Sequence, residues 1–518
     1  MIKKTLFLII LMLLTFAISS WSATYYVDFD GGDDSANGTS TSTPWRTLPG
    51  TTSGGNTQSI AVGDTIYLKP GTTYDSSDPG EYISIASFYY AQPANAGQAI
   101  TIQIYDDWPT ATGDVVIDGT GVTVAQYHGL LEIVQRNYIH ILGTDTNNLI
   151  IQDSPRNGFQ SGGTSGSHQT GILLQYMQFN TSSGFSGCDL YYSDNWEIRD
   201  CYAGYNQYKG FSLGQDADYN CDGGKYYDST AEYNGQAATE DCSCHGFGLY
   251  AATNVEYWRC TSNNNYRDGF DFGTAAADNS NYASSIVINS TAYSNGEAGF
   301  AANGVATAYA ANTGKHYYLN NVSYNNNDGW QVYDGVNVYI FNCILDSNST
   351  GIEAFRDTGY AAVLLTVKNT IFKGSTSREY GGYNTEDVTT DLDYNLYERG
   401  GTYNNFVSNW EGVYNRAWTS GALAAWQGQS DGDGPNSHDS VDDGWLSDWI
   451  DPTGHTDWHL TVGSSCIDTG VDLTSVWPIG ISTADRDGNA RTGTWDIGPY
   501  EYIIPHIRGI STQGVTIQ

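Results

Sequence analysis

The densest group of chemically able side chains in this sequence is Arg267-Asp268-Gly269-Phe270-Asp271, with Asp241 and His245 upstream of it. Asp268 falls at a turn and Asp271 just inside the extended run that follows. If a neighbouring stretch of chain brings Asp241 to the same corner, three carboxylates converge. Hard oxygen donors of this kind suit calcium, which takes six to eight of them at about 2.3–2.6 Å. Asp268 can also serve only to stabilise a turn. Basic residues are scarce, with 21 Lys and Arg against 57 Asp and Glu. Lys209, Arg267, Lys315 and Arg356 lie near the relevant corners, and with His245 they are the candidates for a proton-abstracting base. Paired carboxyl groups also permit glycoside hydrolysis, at separations of about 5–5.5 Å or 6.5–9.5 Å. Asp268 with Asp271, or Asp328 with Glu353, could form such a pair.

The elements that must position these residues repeat. Between residues 190 and 375, short apolar–polar segments end in Asn-rich turns. Aligned on those turns they give a column, Cys201, Ser229, Cys260, Ser290, Asn321, Cys343 and Asn369, with steps of 22 to 31 residues. A second column follows each turn: Gly210-Phe211, Gly246-Phe247, Gly269-Phe270, Gly299-Phe300, Gly329-Trp330 and Gly351-Ile352. Each unit reads as one strand, a turn, then a second strand opened by Gly and a large apolar residue. Strands this short bury an apolar face only when successive turns of chain stack. The expected fold is therefore all-β: a right-handed parallel β-helix, a single-stranded solenoid with lateral loops and internal ladders of Phe, Asn and small Cys or Ser. The expected divisions are a cap with first coils over 23–110, coils over 111–375, an insertion or late coils over 376–456, a closing segment over 457–502, and an unassigned tail over 503–518.

Residues 1–22 read as an export signal: Lys3 and Lys4, an apolar run from Leu6 to Ile18, then small residues to a cut after Ser22. No later segment approaches the ~20 apolar residues of a membrane span. The expected location is extracellular or periplasmic, and the expected state a monomer. A net charge of −36 argues against nucleic acid as a partner, since phosphate binding needs clustered Lys and Arg. Forty Tyr and 14 Trp supply flat rings with polar tips, which match sugar faces. The eight Cys are even in number, and sequence leaves open whether they stack as thiols or pair. Asp431, Asp433, Asp439, Asp442 and Asp443 superficially suggest a calcium loop, but Pro435 occupies a ligand position of the EF-hand frame.

The ends of the chain are similar to a known class. The opening TYYVDFDGGDDSANGTSTSTPWRTL (24–48) with VGDTIYLKPGTTY (62–74) resembles that of secreted bacterial β-helix proteins of the pectate-lyase-like class. The closing stretches DWHLTVGSSCIDTG (457–470) and DRDGNARTGTWDIGPYEY (485–502) do likewise, so the resemblance spans most of residues 24–502. The turn at Asp268 is similar to the calcium-binding turn of polysaccharide lyase family 9. The resemblance implies calcium ligands at Asp268 and Asp271. Arg267 and His245 stand where that family has Asp, and Ala301 stands where it has the catalytic Lys. The implied activity is calcium-assisted β-elimination on an acidic extracellular polysaccharide. The metal would stabilise the charge formed when the proton beside the uronate carboxylate is removed. Hydrolysis by paired carboxylates and non-catalytic polysaccharide binding at a cell surface are the two alternatives.

Overall fold

The computed structural model describes residues 22–503 except 53–54, 79–81, 87, 126–127, 165, 215–220, 236–243, 250–251, 274–283, 304–314, 356–361, 384–387, 399–404, 411–413, 418–421, 428–433, 441–446 and 452–454. The expected export signal up to Trp21, Asp241, Cys242, Arg356, most of the acidic loop around Asp433, and the tail beyond Ile503 lie outside the described residues. The chain divides into two compact units, residues 1–230 with 236–240, and residues 231–235 with 241–518.

Both units follow one plan, the right-handed parallel β-helix, in which each coil gives one short strand to each of three parallel sheets. In the first unit, one sheet runs through Thr24–Val27, Thr65–Leu68, Ile100–Ile104, Ile139–Leu142, Leu173–Gln175, Glu197–Arg199 and Lys225–Tyr227. In the second unit, the first sheet runs from Val255–Trp258 to Val388–Asp393, and the second from Thr261–Asn263 to His438–Asp439. The third runs through Phe247–Leu249, Phe270–Phe272, Ala298–Asn303, Asp328–Tyr333, Thr350–Phe355 and Arg378–Tyr383. Strands of residues 376–410 continue all three ladders, and Tyr414–Ala417 then adds antiparallel to Asn405–Trp410.

The sequence suggests two strands per repeat; the structure has three. What reads as one strand is two, because Arg259 (φ 53°) adopts the left-handed conformation and bends the chain between them, as Asn264 (φ 52°) does at the Asn turn. Such backbone is uncommon for side chains other than glycine, so something must hold it. An Asn ladder does. The Asn265 backbone N–H donates to the Asn295 side-chain oxygen at 3.2 Å, and the Asn295 N–H donates to that of Asn326 at 2.9 Å. Each of those amides donates in turn to a backbone carbonyl of the preceding coil. The first bend carries the Cys, Ser and Asn column, with one correction. Its member after Cys343 is Thr370, whose hydroxyl accepts from the Cys343 N–H, and not Asn369, which bonds the backbone of Val471. Cys201, Cys260 and Cys343 are buried thiols; Cys244 is disulfide-bonded.

Inside the third sheet, Phe247, Phe270, Phe300 and Trp330 stack with centroids 4.9, 5.0 and 4.7 Å apart, and none is exposed. The glycine before each ring admits the next coil. A Cβ on Gly269 would lie 2.6 Å from the Gly299 carbonyl oxygen. No helix among the described residues is long and apolar enough to cross a membrane.

Candidate functional site

Strand alternation puts Phe270 and Phe272 in the core of the second unit, so Asp271 points to the opposite face of the third sheet. Strand register lays two columns on that face. One runs His245, Asp268, Ala298, Asp328, Thr350 and Arg378; the other runs Gly248, Asp271, Ala301, Gln331, Glu353 and Gly381. Two polar clusters result, with Ala298 and Ala301 between them.

The first cluster joins three predicted residues. His245 Nδ1 lies 3.1 Å from Asp268 Oδ2, and Nε2 lies 3.2 Å from Asp271 Oδ2. Each of the three residues is 4% exposed. The other oxygen of Asp268 accepts from the Ala298 N–H at 2.8 Å, and that of Asp271 accepts from the Asn303 side-chain amide at 2.9 Å. Burial pushes the Asp268 carboxyl up to about 6, against the pull of the Ala298 N–H and of the Arg267 guanidinium. Arg267 pairs with Glu297 at 2.8 Å and also interacts with both aspartates. The arrangement sets an ionisable ring between two carboxylates that can orient it.

The second cluster lies two coils away, about 9.6 Å along the stack at the usual strand spacing. Asp328 accepts from the Gln331 side-chain amide at 2.6 Å and also hydrogen-bonds Thr350 and Glu353. Arg378 Nη2 donates to Glu353 Oε1 at 2.8 Å. Burial raises both Asp328 and Glu353 above the ordinary carboxyl range, and for Glu353 the Asp328 charge adds to the effect. Tyr333 and Phe355 flank this end, with ring centroids 3.6 Å apart.

Of the other expected site residues, Lys315 and Lys209 are described. Lys315 is on the first sheet, with Nζ 5.8 Å from the Tyr339 ring centroid. Lys209 is buried in the first unit beside the strand Phe211–Leu213. Asp241 and Arg356 fall outside the described residues. Sequence reasoning missed Asn303, Gln331, Thr350 and Arg378. The signal available was register: the residue just before and the residue just after each Gly-aromatic pair fall in the two columns, which places Thr350 and Gln331.

The donors His245, Asp268 and Asp271 lie within 4.8 Å of one another, close enough to embrace a single ion. Among the described residues calcium fits this set poorly, because a ring nitrogen and two carboxylates fall short of the six to eight oxygens it takes, and Asp241 lies outside them.

No protein-family model and no curated protein matches the chain. Among solved structures, the chain is similar to pectate lyase Pel9A at 15% identity, covering 93% of this chain and 97% of that one, with a TM-score of 0.47. A rhamnogalacturonan lyase shares 19% identity over 66% of this chain and 84% of its own, with a TM-score of 0.39. The A-module of the Azotobacter vinelandii mannuronan C-5 epimerase AlgE6 shares 15% identity over 66% and 86%, also with a TM-score of 0.39.

Proposed function

We propose that this chain is a secreted enzyme that cleaves an acidic polysaccharide by β-elimination on the third-sheet face of its second unit. The observation that carries the reading is the His245 ring set between two buried aspartates, on the outer side of a regular parallel sheet. A long flat face of stacked coils suits a substrate that is itself a long chain. β-Elimination asks for a group that removes the proton beside a uronate carboxylate and for positive charge near that carboxylate. The Asp271–His245–Asp268 unit takes the proton. The carboxylates orient the ring and offset the charge it gains, as an Asp does for a catalytic imidazole elsewhere. Arg267, beside both aspartates, is a guanidinium group that can draw in the sugar carboxylate. Calcium, if it bound, would sit on Asp268 and Asp271 and supply further positive charge. Because the donor set fits it poorly, no step is assigned to it.

The test is incubation of the purified protein with polygalacturonate and with alginate, following the ultraviolet absorbance of the unsaturated product. We expect that absorbance to appear, to persist after chelation of divalent ions, and to fall by about 10²-fold or more in His245→Gln. New reducing ends without absorbance would replace the reading with hydrolysis. Binding without either product would make the chain a polysaccharide-binding protein. Loss of activity on chelation would restore the metal to the mechanism.

A further inference from the structure

The charge of the third-sheet face bears on which acidic polysaccharide it takes. A polymer of uronate alone brings a carboxylate to every sugar position along the coils. Among the described residues the two outward columns hold a single guanidinium, Arg378, and it already donates to Glu353 at 2.8 Å. Arg267 is likewise paired, with Glu297. The segments that leave the strands of this sheet in sequence, 274–283, 304–314, 356–361 and 384–387, carry Arg356 against Asp278, Asp357, Glu386 and Asp387, and the whole chain is at −36. Such a field repels a densely charged polyanion.

The cluster around Asp328 shows what the face accepts instead. One guanidinium stands between two carboxyls that oppose each other's charge, so the cluster is neutral or negative, never positive. Gln331 and Thr350 complete it with an amide and a hydroxyl. These groups suit sugar hydroxyls, which accept from a guanidinium and donate to a carboxylate. Gly381 lets the guanidinium lie against the sheet: a Cβ there would strike Arg378 Nε, a buried nitrogen with no hydrogen-bond partner among the described residues. Tyr333 and Phe355, both half-buried, lie in the next column and offer apolar ring surface on which sugar C–H groups pack. Burial raises the Tyr333 phenol, and the charges of Glu353, Asp328 and Asp268 add to the effect, so the ring lies beside both clusters. Ala298 and Ala301 keep the coil between the clusters free of long side chains, so a sugar chain lying along the coils can meet both.

We propose that the Asp328–Glu353–Arg378 cluster is a subsite for an uncharged sugar residue, and that the substrate is an acidic polysaccharide in which neutral sugars separate the uronates. The inference rests on the β-elimination reading, which sets a uronate at His245 and names no neighbour for it. The cluster lies about 9.6 Å from there along the stack, so it meets a different sugar of the same chain. A neutral sugar at that position gains the hydrogen bonds and the ring contact. A uronate at that position sets its carboxylate against Asp328 and Glu353, and must take Arg378 from Glu353 to be paired. The selectivity is built by repulsion as well as by attraction.

The experiment follows unsaturated product from polygalacturonate and alginate, and from the same polymers with a part of their carboxylates reduced to primary alcohols. Reduction keeps the linkage and the hydroxyl stereochemistry and sets neutral sugars among the uronates. We expect kcat/KM, counted per remaining uronate, to be about tenfold or more higher on a part-reduced polymer than on its parent. Equal or lower values on the part-reduced polymers would overturn the subsite while leaving β-elimination standing. Absence of unsaturated product from every one of these polymers would instead overturn the β-elimination reading and the subsite with it. Glu353→Gln removes one repelling charge and frees Arg378 for a sugar carboxylate. In that variant kcat/KM on the parent polymer should rise several-fold, and the preference for the part-reduced one should shrink to within a few-fold. A damaged fold cannot give such a gain. An unchanged preference in the variant counts against the proposal, and the wild-type comparison decides it if the variant does not fold.

Discussion

Asp268 is the residue whose charge the fold most plainly controls. It is fully buried, and its carboxyl is pushed up to about 6 from the ordinary value near 3.9 in an unfolded chain. The sign follows from linkage. Between roughly pH 4 and 6 the folded chain binds more protons here than the unfolded one, so this group's stabilising contribution is complete below about pH 4. It is lost as pH rises through about 6, on the order of 3 kcal/mol in all. Asp268→Asn should flatten that part of the stability–pH curve in urea unfolding at a series of pH values. An unchanged slope would mean that the carboxyl keeps its charge in the folded state. In the same variant, the acid limb of the activity profile near pH 6 should be displaced, because the base unit works only when its carboxylates are ionised.

At the scale of the element, the coils owe their sharp corners to side-chain ladders more than to strand propensity. Strands of three residues make few backbone bonds of their own, and the left-handed residue in each bend adds strain. The buried Asn side chains answer both problems, since one amide satisfies a backbone N–H of one coil and a carbonyl of another. Asn295→Ala strands the Asn265 N–H and the Ser262 carbonyl inside the protein. At about 1–3 kcal/mol for each unsatisfied buried group, we expect a loss of at least about 2 kcal/mol in denaturant unfolding. A change below about 0.5 kcal/mol would show that water repairs the ladder.

At the scale of the folded chain, the closing segment does more than end the second unit. Trp449, Trp458, Leu460, Cys466, Ile497 and Tyr500 pack on Val322, Ile344, Ile371 and Leu396, which line the outer face of the second sheet. Leu473, Trp477 and Trp495 pack on Ile288, Leu319 and Phe341 of the first sheet. Arg486 donates to the carbonyls of Ser290 and Asn320 and to the Thr291 hydroxyl, tying the segment to two coils. Cover explains a change of residue type along one column: Thr261 and Thr291 give way to Val322, Ile344, Ile371 and Leu396. Ile371→Ala should therefore cost about 2–5 kcal/mol, whereas Thr261→Ala, at an equivalent position earlier in the column, should change stability by less than about 0.5 kcal/mol. Equal effects in urea unfolding would sink this account.

The repeat of Asn turns and Gly-aromatic pairs determines the stacked coil by itself, because stacking is the arrangement that buries Phe270, Phe300 and Trp330 together and leaves no amide of Asn265 or Asn295 unmet. The same repeat also brings His245, Asp268 and Asp271 to one corner, since they hold fixed offsets from Gly246 and Gly269. Spacing alone did not reveal the third strand of each coil. A left-handed bend at Arg259 or Asn289 leaves no mark in the apolar pattern, and so Asn369 was mistaken for Thr370 in the corner column. Nor could spacing say that the imidazole would lie between the two aspartates, that Lys315 would fall on another sheet, or that Arg378 would reach Glu353. Those depend on which way side chains point across a register of coils whose loops differ in length, and only the packed chain sets that register.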